Sequence, residues 1–399
     1  MNETFRQCGP GGAGAIKMLR AWAFGGAAPA WPEFKDRAAT MTHRCRTAIE
    51  AGVRGLGLCK GDVVLAPAYH CGTEIDALLA AGCEVVLYRT GARGEIDVED
   101  AAERGGERVR AMYVIHYFGW PQDLAKARDL CASRGWSLIE DCALSLFSEH
   151  ENGSPTGLTG DVSVFSLTKT LAVADGGALS LREGLGRADG GGAWKSAPSE
   201  RVGKEAARMV RRAWGRWSLE HVGARWTPSV LVRTKSGGRG RHAASDAEVM
   251  PSAYFFDAGK DGGRAASRVT LGLLRGVDRE DVRAARRRNY GALGRALGEL
   301  GTMRPLFDEL PARVCPLVFP LVAQDRDGVL GRLEGSGVSA IAWWSGGHPR
   351  MDLAAFPEAR ALKRSVVALP VHQGLDERDM AYIAARVREA DAACTRSRS

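Results

Sequence analysis

Short apolar runs alternate along the chain with stretches whose apolar residues recur every three or four positions. Residues 62–67 read as a buried strand, because Val63, Val64, Leu65 and Ala66 leave no polar face. Residues 72–81 follow with Ile75, Leu78 and Leu79 on one helical face. The pattern predicts strands at 84–88, 111–115, 136–139 and 162–167, and helices at 98–103 and about 123–134. Ala48, Ile49, Val53, Leu56 and Leu58 give a rougher helical spacing between 46 and 58, stopped by Lys60-Gly61-Asp62. This β-α-β-α order implies an α/β fold with a mostly parallel central sheet covered by helices on both faces.

Past residue 184 the pattern weakens into a glycine-rich loop. A basic, tryptophan-bearing helical stretch at 201–226 and a loop at 235–242 follow. The period then returns, with helices at 269–274 and 279–300, a strand at 313–322, a helix at 328–334, a short apolar segment at 340–344 and a last helix at 376–393. The expected organisation is an N-terminal arm at 1–40, a large domain at 41–275 carrying a divergent basic insertion at about 185–265, and a smaller C-terminal α/β domain at 276–399.

Composition narrows the function classes. The 399 residues are 45% hydrophobic, enough for a sizeable core. No run of about eighteen apolar residues occurs, and the start of the chain does not read as a signal peptide. The nine cysteines are odd in number and contain no C-x-x-C pair, so they read as reduced thiols of a cytoplasmic protein without a zinc site. The net charge is +8, but residues 201–241 alone hold eleven Lys/Arg against Glu205 and Glu220. That segment reads as a solvated helix face, as a site for a diphosphate, or as a weak contact with an anionic membrane surface aided by Trp214 and Trp217. Nucleic acid is not expected, because no base-stacking module is visible.

The candidate chemistry sits at strand ends. Residues 162–167 deliver Lys169, followed by Asp175-Gly176-Gly177, and residues 138–139 run into Glu140-Asp141. A lysine for an aldehyde and an aspartate for a ring nitrogen are the pair that pyridoxal phosphate (PLP) needs. Tyr69-His70-Cys71 and His116 also end strands, and ligands of parallel sheets gather at such ends.

Five ordered motifs carry a resemblance: Lys60–Pro67, Val114–Pro121, Ile139–Ala143, Gly160–Ser166 with Lys169 and Asp175-Gly-Gly177, and Leu369-Pro370 with Gly374-Leu375. Together they resemble the DegT–StrS family of PLP-dependent sugar aminotransferases, from about Arg44 onward with a divergent middle. The resemblance implies the fold-type-I PLP-dependent transferase architecture and a homodimer. It makes Lys169 the Schiff-base lysine and proton shuttle, and Asp141 the partner of the pyridine nitrogen. Arg46 and Thr47 fall on the turn that meets the phosphate at a helix N-terminus, with Ser166 near the serine that assists. Near Cys71 the family has an aromatic that stacks on the cofactor ring; His70, or else Tyr69, takes that part here. The implied reaction moves an amino group from an amino acid, L-glutamate by resemblance, to a nucleotide-linked keto-sugar, for a polysaccharide or a glycosylated metabolite. A dehydratase, amination of a non-sugar ketone such as a cyclitol, and a non-catalytic binding or regulatory protein on the same fold are the alternatives.

Overall fold

The computed structural model describes residues 29–186, 193–200, 202–209, 250, 254–344 and 346–396. Of the N-terminal arm and the basic stretch 201–241, only 29–40 and 202–209 are described residues. Seven strands make the main sheet: β1 (Arg37–Thr42), β2 (Val63–Pro67), β3 (Glu84–Tyr88), β4 (Val109–Ile115), β5 (Ser137–Asp141), β6 (Val162–Ser166) and β7 (Gly177–Arg182). Their spatial order is β1-β7-β6-β5-β4-β2-β3. β3, β2, β4, β5 and β6 are mutually parallel, as the buried apolar runs predict. β7 runs antiparallel between β6 and β1.

Helices α1 (Cys45–Gly55), α2 (Thr73–Ala80), α3 (Val98–Arg104) and α4 (Ala125–Arg134) cover this sheet. Alternation along each strand sorts the core onto two faces. Ala111, Tyr113, Ile115 and Ile139 pack with residues of α1 and α2. Met112, Val114 and Leu138 pack with Ala101 of α3 and Ala127 and Cys131 of α4. α1 lies close on β6 and β7, where a Cβ on Gly52 would come within 2.6 Å of Val162 Cγ1. A single helical turn, α5 (Leu167–Thr170), follows β6 and carries Lys169.

After α6 (Arg268–Leu274) and the long α7 (Arg279–Leu297), a second sheet forms from β8 (Met303–Pro305), β9 (Val318–Ala323), β10 (Ile341–Ala342) and β11 (Val366–Pro370). It is wholly antiparallel, in the order β10-β11-β9-β8. Val367 and Leu369 face a core shared with α7, α8 (Arg326–Gly335) and α10 (Glu377–Arg396). Val366 and Ala368 face the other way and join the core of the main sheet, with α9 (Pro357–Ser365) beside them.

Several details differ from the sequence expectation. Residues 37–40, assigned to the arm, lie in β1, paired with β7 at the sheet edge. Residues 313–317 do not belong to a strand; Cys315 and Leu317 donate their amides to Ser148 Oγ and Phe118 O instead. β7, β8, β11 and α9 have no counterpart among the elements expected from the apolar pattern. Among the described residues, no helix is long and apolar enough to cross a membrane.

Candidate active site

The carboxyl ends of β4, β5 and β6 open onto a cavity of about 210 Å³, where ligands of parallel sheets collect. Ile115, Asp141 and Ser166 are the last residues of those strands, and Thr168 and Lys169 of α5 complete that wall. β6 and β7 pair with Ser166 opposite Gly177, so the lysine turn is tied at both ends to neighbouring strands. Lys169 is 7% exposed. Asp141 is also buried; its Oδ2 accepts from Tyr113 OH at 2.6 Å and its Oδ1 from the Ala143 amide at 2.8 Å. Burial pushes the Asp141 carboxyl above the usual range, opposed by the charge of Lys169 and the Tyr113 hydrogen bond. A cationic ring nitrogen beside it would favour the carboxylate.

A second wall is the start of α1. His43, Arg44, Cys45 and Arg46 line the cavity here. The helix begins at Cys45, and its first closing bond runs from Ala48 N to Arg44 O. The amides ahead of that bond have no intrahelical acceptor, which makes this end a place for an anion. Backbone meets backbone beneath it: a Cβ on Gly177 would lie 2.4 Å from Arg44 C. Arg44 Nε lies 3.5 Å from Asp261 Oδ1, while its buried Nη2 has no hydrogen-bond partner among the described residues. His43 Nδ1 donates to Asp175 Oδ2 at 2.9 Å, since a carboxylate only accepts, and its buried Nε2 is likewise unpartnered. Ser267 Oγ at 2.6 Å and Thr270 Oγ1 at 2.5 Å donate to the other Asp175 oxygen.

The remaining lining includes Cys71, Glu74, Tyr254 and Trp344. Cys71 Sγ donates to Glu74 Oε2 at 2.7 Å, and the Cys71 amide to Oε1 at 2.8 Å. Burial, with the Glu74 charge, pushes the Cys71 thiol up to about 12; burial also raises the Cys45 thiol. Burial thus favours the neutral thiol at both positions.

Of the residues singled out from the sequence, Lys169, Asp141, Ser166 and Arg46 line the one cavity; Thr47 and His70 do not. Arg46 donates through Nη1 to Tyr254 O at 2.5 Å. Thr47 turns its hydroxyl to Asp261 O at 2.8 Å. His70 is fully buried, neither ring nitrogen has a partner among the described residues, and burial drives its basicity well down. Cys71, next in the chain, lines the cavity where His70 was expected. His116 serves a different purpose. Its Nδ1 accepts from the Gln122 amide, so Nε2 donates to Glu140 at 2.9 Å. Glu140 also receives the amides of Gly157, Thr159 and Gly160. The ligand atoms of His116, Glu140 and Cys142 lie within 4.8 Å of one another, but these bonds commit the first two as a brace for the 157–160 loop. His43, Arg44, Glu74, Tyr254 and Trp344 escaped the sequence reading. Only His43 and Arg44, adjoining the turn at Arg46, carried a local signal that could have found them.

These residues fit PLP. An aspartate ends β5 and a lysine follows the end of the adjacent parallel β6, and a helix start beside the orphaned Arg44 Nη2 donor suits a phosphate. Residues 33–185 match the model of the DegT/DnrJ/EryC1/StrS aminotransferase family. The chain is 30% identical to GDP-perosamine synthase of Vibrio cholerae over 146 residues, 36% of this chain and 40% of that protein. It is 31% identical to L-glutamine:scyllo-inosose aminotransferase of Streptomyces griseus over 150 residues, 34% of each. The matching segment thus spans about two fifths or less of these relatives. The crystal structure of the aminotransferase TlmJ from Streptoalloteichus hindustanus superposes with a TM-score of 0.66 at 22% identity, covering 99% of this chain and 100% of that one. The fold is therefore that of the aminotransferases, an α/β architecture with a mostly parallel central sheet. The motif resemblance is borne out over residues 33–185, where the chain matches the DegT/DnrJ/EryC1/StrS aminotransferase family.

Proposed function

We propose that the chain is a PLP-dependent aminotransferase that passes an amino group from an amino acid, L-glutamate first, to a nucleotide-linked keto-sugar. The observation that carries this reading is the convergence of Lys169 and Asp141 on the cavity at the start of α1. Bound PLP supplies an aldehyde and an electron-withdrawing ring. The chain's own residues supply the rest. Lys169 Nζ would anchor the cofactor and would move the proton. Asp141, braced by Tyr113 and the Ala143 amide, balances the ring nitrogen. The amides at the start of α1, the Arg44 guanidinium and the Ser166 and Thr168 hydroxyls bind the phosphate. Burial excludes water from the reacting carbon.

The relatives' names support two acceptor classes, a nucleotide-linked sugar and a cyclitol ketone. We favour the sugar, with the cyclitol as the second reading. We also propose a homodimer with a division of the chain near residue 276, and a cytoplasmic setting, which suits the buried thiols of Cys83, Cys131, Cys142 and Cys315. Purified protein mixed with PLP is expected to gain a visible absorbance band that borohydride bleaches and Lys169→Ala abolishes. L-glutamate alone should then release 2-oxoglutarate. A protein that takes up no PLP overturns the reading. Turnover with scyllo-inosose but with no nucleotide-linked keto-sugar selects the cyclitol.

A further inference from the structure

Arg286 is one of the largest fully buried side chains of the molecule, at 0% exposure, and it lies outside the cavity. Among the described residues it makes no ion pair. Its guanidinium is spent on neutral acceptors: Nη1 donates to Pro316 O and Leu317 O at 3.0 Å, Nε to Gln373 Oε1 at 3.0 Å, and Nη2 to Thr170 O at 3.1 Å. Burial lowers its basicity to about 10, still protonated at neutral pH. Gln373 Nε2 donates to the same Thr170 carbonyl at 3.0 Å. Arg286, Gln373 and Thr170 therefore close a ring of three hydrogen bonds. The ring fixes the Gln373 amide, whose oxygen must face Arg286 and whose nitrogen must face Thr170.

Thr170 follows Lys169 directly and ends α5. A single turn of helix has no stability of its own, because one closing bond does not offset the backbone order it requires. Here that bond is Leu171 N to Leu167 O, with Leu167 N to Gly176 O at the other end. The lysine turn is thus shaped by what grips it from outside. Both gripping side chains belong to the second-sheet region: Arg286 to α7 and Gln373 to the turn after β11. Asn289, one turn further along α7, orders that turn by donating to His372 O at 2.9 Å and Leu375 O at 3.1 Å. One helix therefore presents Arg286 and, through Asn289, also Gln373.

We propose that Arg286 and Gln373 are positioning residues for Lys169, transmitting the placement of α7 to the lysine turn through the Thr170 carbonyl. The inference rests on Lys169 being the reactive amine of the proposed function, but its test does not require the cofactor. The full-length protein, free of PLP, is treated with acetic anhydride over a range of pH. Labelling of Lys169 is read by mass spectrometry against exposed Lys126. Gln373→Leu and Arg286→Lys are each expected to change the Lys169 rate about fivefold, the worth of one hydrogen bond, and to shift its pH profile. Lys126 should not respond. Arg279→Gln is the control, because Arg279 ties α7 to Glu33 and Glu149 without touching α5. It should lower the unfolding midpoint and leave Lys169 labelling within about twofold. If Arg286→Lys fails to fold, Gln373→Leu decides alone. Unchanged Lys169 profiles in the folded variants, or an equal shift in Arg279→Gln, overturn the inference. A wild-type protein that takes up no PLP defeats the cofactor reading, while the labelling comparison still decides this one.

Discussion

Glu140 and Asp141 are adjacent carboxylates at the end of β5, and the pleat sends them to opposite faces of the sheet. Asp141 shares the α1 face with Ile139, whereas Glu140 shares the face of Leu138, covered by α3 and α4. Glu140 is met by His116 and three amides, and those bonds outweigh a large burial penalty to hold its carboxyl down at about 2. Asp141 has two donors and burial wins, so its carboxyl is raised. A fully satisfied carboxylate has nothing left to offer a ligand and acts as scaffold. A partly satisfied one beside a cavity waits for a cation. The number of donors, more than the depth of burial, separates scaffold from site here.

The largest expected effect tests the scaffold side. Glu140→Ala strands the His116 ring and three amides, and should lower the urea unfolding free energy by about 3–5 kcal/mol. The pH dependence comes next. Glu140 has a folded value below its ordinary 4.5, so its contribution is complete above pH 4.5 and fades as pH falls toward 2. Wild type should lose on the order of 3 kcal/mol more than Glu140→Gln over that window. Asp141 carries the opposite sign: its raised value makes the ionised form unfavourable in the cofactor-free protein, a cost relieved as pH falls. Asp141→Asn should accordingly leave unfolding within about 1 kcal/mol of wild type and slow the glutamate half-reaction by about 10²-fold, read in a single-turnover mixing experiment. Equal stability losses in the two carboxylate variants would break the comparison. Tyr113→Phe is the mildest. Losing one of two donors should cost about 1 kcal/mol and move the Asp141 carboxyl further up, as an NMR titration of its carboxyl carbon would record.

The same contrast explains what was legible beforehand. β2 and β4 were readable because burial on both faces leaves nearly continuous apolar runs, and the half-exposed edge strand β3 because Val85, Val86 and Leu87 follow one another. β1 was not, because an edge strand of sequence Arg-Ala-Ala-Thr-Met-Thr is half exposed and barely alternates. α9 hides its buried Leu362 among charges, and one of those, Lys363, is itself buried because its Nζ finds Gly346 O at 2.9 Å and His70 O across the chain. Lys169 and Asp141 stood out because each follows an apolar run. Glu74, Tyr254 and Trp344 reach the cavity through packing between distant segments, which no local period records. His70 drew attention as the polar neighbour of a strand end, yet chain direction there turns Cys71 to the cavity instead.

The contact between Gly177 and the Arg44 backbone has a further consequence. A Cβ at 177 would also lie 2.5 Å from both Arg44 O and Cys45 N, so the smallest side chain would push the start of α1 off its seat. The seat of α1 on the sheet is thus set by the absence of an atom. In a deep mutational scan selected for cofactor retention, position 177 should reject alanine as firmly as tryptophan, a flat profile unlike the graded tolerance expected of a side-chain contact.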